Sequence, residues 1–335
     1  MASLKEVKGR INSIHGTLKI TSAMKMVASS KLHKAQEAIE NMLPYERRLH
    51  RMLSNFLGAE LSVESPFAVK REVKKVAVVV FASNSSLCGG FNANVIRHLN
   101  EVVAEYEPKV GRENILIYPV GRKVADAVKK MEGLTAAGDY QHMSGKPNYQ
   151  EAADLAAELM TRFASGEIQQ VALLYNHFKS TSTQVLTRET YLPLDLSAGH
   201  ADEKGEEQEA MQADYLIEPS PEQVMEELLP KVLRMKMYTV LLDSTASEHA
   251  ARTMAMQIAT DNANDLLQDL TVMYNKSRQQ AITNELFGYS RRFNGLSFFL
   301  GARYVASCPK NLENHTTSLS ESFYKCHPFH RRRVK

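Results

Sequence analysis

LKEVKGRINSIHGTLKITSAMKMVASSKLHKAQEAIENM, from Leu4 to Met42, is the stretch from which the fold can be read. Leu4, Val7, Ile11, Ile14, Leu18, Thr21, Lys25, Ala28, Leu32, Ala35, Ile39 and Met42 follow one another at alternating spacings of 3 and 4. Only Thr21 and Lys25 in this series are not apolar. A straight helix drifts off such a seam by roughly 20° per heptad, so a strict seven-residue repeat calls for a partner helix and a left-handed supercoil. The spacing predicts a coiled-coil helix over residues 1–58. Its seam changes character at Lys25, where a charge replaces an apolar anchor, so the partner or the packing is expected to change there.

The partner is expected at the other end of the chain, over residues 219–286. It follows the breaker cluster Glu218-Pro219-Ser220-Pro221. Pro221 suits a helix first turn, where its missing N–H costs nothing, and Ser220 suits the cap before it. Met256, Ala259, Ala263, Leu266, Leu270 and Met273 again alternate by 3 and 4. At 1.5 Å per residue such a segment is on the order of 100 Å long, more than one globular domain buries, so it must project. An ordinary antiparallel helical hairpin would show the same periodicity.

Between the helices the texture changes. Val76 to Phe81 (VAVVVF) is a short β-branched run, the pattern of a strand buried on both faces. Helical spacing over Asn92 to Tyr106 follows, then strand-like Ile115 to Val120, a helical stretch from Arg122 to Met131, and strand-like Val171 to Tyr175 and Gln184 to Tyr191. Alternating strands and helices predict an α/β domain with a largely parallel sheet over residues 72–215. Within it, residues 197–212 lack an apolar period and read as an exposed acidic insertion. The fold class expected is therefore α/β: a long antiparallel coiled coil of the terminal helices plus a central Rossmann-like domain.

Of the 335 residues, 44% are hydrophobic, ordinary for a folded chain. The longest apolar runs fall far short of the 18 or so residues that span a bilayer, and the N-terminus has no signal-like apolar block. Any membrane association is expected through partners. Cys88, Cys308 and Cys326 form no disulfide framework, which fits a reducing compartment. Up to residue 35, seven cations (Lys5, Lys8, Arg10, Lys19, Lys25, Lys31, Lys34) face one acid, Glu6, a local balance of +6. Such a run is commonly a solvated helix face. Here it flanks the seam break at Lys25, which favours an acidic partner surface.

The best candidate for chemistry is SNSSLCGGFNANV, Ser83 to Val95, which leaves a strand and opens a helix. Gly89 and Gly90 could offer backbone N–H groups to a phosphate. The sequence holds neither G-x-x-x-x-G-K-[ST] nor G-x-G-x-x-G, however, so glycines making a tight turn at a subunit contact are favoured. No His stands at a spacing that nominates a base for Cys88 or the nearby serines. His249, beside Glu248 and Arg252, reads as a seam or surface histidine before a metal ligand. No cofactor is expected.

Five blocks in order carry a resemblance: Ile11 to Lys31, Leu87 to Val95 (LCGGFNANV), Ser247 to Met256 (SEHAARTMAM), Asp261 to Leu266 (DNANDL) and Tyr274 to Leu286 (YNKSRQQAITNEL). Together they resemble the ATP synthase gamma family of bacterial F-type enzymes. The resemblance implies a non-catalytic central-stalk rotor, its coiled coil inserted in a ring of three alpha and three beta subunits. The α/β foot would contact the epsilon subunit and the c-ring, at the cytoplasmic face of the bacterial inner membrane. Met24, Lys25 and Arg252 resemble positions that work against an acidic lever segment of beta. Gln279, Thr283 and Glu285 resemble positions that engage beta loops near the shaft top. Cys88, Gly89, Gly90, Phe91 and Asn92 form the foot-domain loop. No nucleic-acid partner is implied.

After Leu286 the pattern departs from the family. Residues 287–335 hold nine of the 25 Phe and Tyr residues and nine Lys/Arg against two Glu; this +7 leaves −4 for the rest of a chain whose total is +3. The change points to a reading-frame slip or a lineage-specific extension, expected to be poorly ordered with at most short helical pieces. Cys308, Cys326, His327 and His330 match no standard zinc spacing. Two other classes remain as alternatives. An α/β nucleotide-binding enzyme with a regulatory coiled coil would bind or turn over nucleotide alone, and a nucleic-acid-binding coiled coil would lose affinity steeply with salt.

Overall fold

The computed structural model describes residues 3–58, 66–194 and 220–306; side chains are described within these spans except at 50, 54–58, 221–222 and 290–306. Residues up to Thr271 form one compact unit and those from Val272 a second. Helix α1 covers Leu4–Gly58. Every seam position named above from Leu4 to Met42 is buried or half-buried, Lys25 included.

The central domain follows in chain order: β1 (Val76–Phe81), α2 (Phe91–Val110), β2 (Ile115–Val120), α3 (Arg122–Val128), β3 (Thr135–Ala136), α4 (Gln141–Gly145), α5 (Tyr149–Ala164), β4 (Gln170–Phe178) and β5 (Gln184–Leu192). The sheet order is β3-β2-β1-β4-β5. β1 pairs parallel with β2 and β4, β2 pairs parallel with β3, and only β5 runs antiparallel, along β4. The expected strands are all present. Sequence reading missed β3, α4 and α5; the buried face of α5 includes Ala152, Ala153 and Ala156, which an apolar-run reading weighs lightly.

Period-2 alternation divides β1 between two cores. Val76, Val78 and Val80 face α2 and α3, through Val95, Leu99, Val102 and Val124. Ala77, Val79 and Phe81 face α5, through Leu155, Leu159 and Phe163. Each such large side chain removed from water contributes about 1.5–3 kcal/mol. At the end of β2, Gly121 has φ 114°, and a Cβ there would stand 2.1 Å from the Ala82 carbonyl oxygen. Only glycine lets the β2–α3 turn pass this close to the end of β1.

Helix α6 covers Pro221–Ala306. The Ser220 hydroxyl lies 3.4 Å from the Gln223 N–H, a long form of the expected cap. Leu49 and Leu53 of α1 cluster with Met225 and Leu229, and Leu32 and Ala35 with Ala246 and Ala250. Higher up, the Thr21 and Thr260 hydroxyls lie 3.1 Å apart. Partner numbers fall on α6 as they rise on α1, so the helices run antiparallel. Below this, Leu233, Met237, Val240 and Leu241 of α6 enter the same core as α5, so α6 belongs to the domain as well as to the shaft.

Two expectations about α6 need correction. The seam does not run through Leu266 and Met273, which are 52% and 51% exposed; Leu267, 9% exposed, is buried instead. Thr260, facing Thr21, sets that register, and apolar content alone did not find it. The helix also continues to Ala306 and does not stop near Leu286. Gly288, Gly295 and Gly301 each cost about 1 kcal/mol against alanine but keep their N–H groups, and no proline stands between Leu286 and Pro309. The acidic insertion 197–212 and the tail beyond residue 306, with its cysteines and histidines, lie outside the described residues.

Candidate functional site

The foot loop between β1 and α2 is held from inside by Asn92. Its Nδ2 donates to Ser83 Oγ at 2.8 Å and Cys88 Sγ at 3.0 Å, while its Oδ1 accepts from the Ser83 N–H at 3.1 Å. Ser83 Oγ in turn donates to the Ser85 carbonyl at 2.6 Å. Asn84 ties the loop to its neighbours, donating to the Gln141 carbonyl and accepting from the Arg122 N–H, each at 2.9 Å. Cys88 and Phe91 are buried anchors; Gly89 and Gly90 are exposed. Gly89 has φ 59°, which suits glycine, whereas Leu87 adopts φ 69° with a full side chain and stands 60% exposed.

From outside, the loop is gripped by α6. Arg252 donates through Nη1 to the Ser86 carbonyl at 2.7 Å and through Nη2 to Glu248 Oε1 at 2.6 Å. Its side chain is 16% exposed and that of Glu248 9%. Burial pushes the Glu248 carboxyl above its usual range, opposed by Arg252 and Lys31. Beside it, burial, then Lys31 and Arg252, bring His249 down to about 4. Its Nδ1 has no hydrogen-bond partner among the described residues.

These groups line a groove of about 560 Å³ bounded by Ile20, Met24, Val27 and Lys31 of α1, Ser86 and Leu87 of the loop, and Arg252 of α6. Met24 and Arg252, named from sequence, thus share a groove. Lys25 is half-buried and does not line it. Sequence reading missed Leu87, Ser86 and Glu248 as members of the groove, although the i, i+4 spacing of Glu248 and Arg252 was a visible signal. In the second unit, Gln279, Thr283 and Glu285 are exposed, and the Thr283 hydroxyl donates to the Gln279 carbonyl at 2.9 Å. Val272, Ile282, Leu286 and Phe287 there are also exposed.

The shaft is bonded to the foot at further points. Asp243 accepts from the Phe178 N–H at 2.7 Å and pairs with His177 Nδ1 at 2.6 Å. Ser247 donates to the Asn176 carbonyl at 2.8 Å, Tyr191 donates to the Leu233 carbonyl at 2.9 Å, and Lys236 pairs with Glu189 at 3.0 Å. Burial raises the Tyr191 phenol far above its usual range, so it remains a donor. Among the described residues, no helix is long and apolar enough to cross a membrane.

A two-helix shaft built into the core of an α/β foot defines the class. The ATP synthase family model matches residues 3–288. The ATP synthase gamma chain of Phocaeicola vulgatus is 72% identical over 286 residues, covering 85% of this chain and 97% of that one. That of Bacteroides fragilis is 61% identical over the same shares. A chain of the Euglena gracilis mitochondrial ATP synthase (OSCP/F1/c-ring, rotational state 3) shares the fold, with a TM-score of 0.60 at 21% identity, over 92% of this chain and 98% of that one. A chain from the rotor of the same enzyme superposes with a TM-score of 0.54 at 19% identity, over 83% and 98%. The chain belongs to the ATP synthase gamma-chain family. The alternative of an α/β nucleotide-binding enzyme is not favoured.

Proposed function

We propose that the chain transmits torque between a membrane ring and catalytic subunits, and carries no catalytic site of its own. The observation that most supports this is the shared core: α6 residues Leu233, Met237, Val240 and Leu241 pack into the sheet's own core, so a twist applied to the foot reaches the shaft without slack. The partners are three alpha and three beta subunits, the epsilon subunit and the c-ring. The chain lies at the cytoplasmic face of a bacterial inner membrane, reached only through those partners. Proton flow turns the ring, and rotation of the asymmetric shaft carries each beta site through states of different nucleotide affinity, a population shift imposed mechanically.

The groove between α1, α6 and the foot loop receives the acidic lever segment of beta. Met24 and Leu87 supply apolar surface and Lys31 supplies complementary charge, while Lys25, next to Met24 on α1, adds a cation outside the groove's lining. Gln279, Thr283 and Glu285, exposed on α6, engage beta loops. The test is reconstitution with alpha, beta and the membrane sector. The isolated chain is expected to hydrolyse no ATP. Lys25→Glu is expected to assemble but to lower the number of protons pumped per ATP hydrolysed. Turnover by the isolated chain, or an unchanged pumping ratio in the variant, would count against the reading.

A further inference from the structure

We propose that Arg252 is a positioning residue that, together with Glu248, clamps the Ser86 carbonyl and so sets where Leu87 stands on the rim of the groove. This rests on the rotor reading above and refines it, because both arms of the guanidinium are bonded to groups of this chain.

The Ser86 carbonyl and the Leu87 N–H share one peptide plane, so fixing the first orients the second. Arg252 fixes it from α6, at 2.7 Å, while its other arm is fixed by Glu248 at 2.6 Å. The planar fork of arginine serves both acceptors at once, a geometry that a lysine point charge lacks. On the far side, Cys88 is buried and held by Asn92, so Leu87 lies between two immobilised neighbours. That accounts for a branched residue at φ 69°: the backbone on either side is fixed, and the side chain is turned outward, 60% exposed. Leu87 thereby borders the same groove as Ile20, Met24 and Val27 of the shaft. The clamp makes foot loop and shaft present one surface.

The test is a double-mutant cycle in the reconstituted complex, reading protons pumped per ATP hydrolysed, with amide exchange followed in the loop. Arg252→Gln and Leu87→Ala should each lower the ratio, and the double variant should lose no more than the worse single variant. Arg252→Gln should also speed exchange at Leu87 and Cys88 by about tenfold or more, the factor for one lost charge-assisted hydrogen bond. Additive losses would mean that Arg252 acts independently of the loop, which overturns the clamp. A loss with Leu87→Ala but none with Arg252→Gln overturns the clamp and leaves the groove standing. If both variants pump like the parent, the groove reading falls and takes the clamp with it. Should Arg252→Gln fail to assemble, Arg252→Lys keeps the charge beside Glu248 without the fork, and the same cycle decides.

Discussion

His249 and Glu248 are neighbours on α6 whose protons respond to burial in opposite directions. The imidazole is brought down to about 4 by burial and by Lys31 and Arg252, and the carboxyl is pushed up by burial. For His249 the unfolded chain binds the proton more tightly than the fold does. Stability is therefore lost as pH falls from about 6.5 towards 4, by about 2 kcal/mol once partial exposure is discounted. For Glu248 the fold holds the proton more tightly, so the same acidification favours the fold while weakening the ion pair to Arg252. His249→Gln is expected to flatten the acid side of the stability curve between pH 6.5 and 4, measured by denaturant unfolding at a series of pH values. An unaltered acid limb would show that the imidazole is not the group responsible.

The helices illustrate how a periodic pattern can be right in kind and shifted in register. On α1 one side of the helix carries the apolar series, and the packing follows it. On α6, Ala259 and Thr260, and then Leu266 and Leu267, offer two seams that both satisfy the 3,4 spacing. Packing selects the one with Thr260 and Leu267: the Thr260 hydroxyl bonds the Met256 carbonyl of its own helix at 2.7 Å while standing 3.1 Å from the Thr21 hydroxyl across the seam. Leu267→Ala is therefore expected to destabilise the shaft by about 2 kcal/mol, whereas Leu266→Ala stays within about 0.5 kcal/mol. Melting temperatures of the two variants check this, and equal shifts would restore the register read from sequence.

At the scale of the whole molecule, the matched span and the chain differ in length. A match covering 97% of the Phocaeicola vulgatus relative covers only 85% of this chain, and the family model ends at residue 288. The surplus coincides with the basic, aromatic composition that begins after Leu286. A chain truncated after Leu286 keeps Gln279, Thr283 and Glu285 and is expected to assemble with alpha and beta at least as well as the full chain, judged by yield of the complex and by its ATP hydrolysis. Loss of assembly on truncation would make the extra residues a working extension.

The sequence by itself determined the coiled-coil helix from Leu4, the start of α6 at Pro221 and the β1, β2, β4 and β5 strands. In each case the signal is local, a period or a breaker that needs no distant partner to be read. The resemblance of five short blocks was likewise enough to name the family. Only the tertiary structure decided which of two seams α6 uses, that its residues 233–241 complete the core of the foot, and that Arg252 grips a carbonyl 166 positions earlier. Each of these depends on which surfaces meet across a large sequence separation, and a one-dimensional pattern does not encode that meeting until both partners are folded.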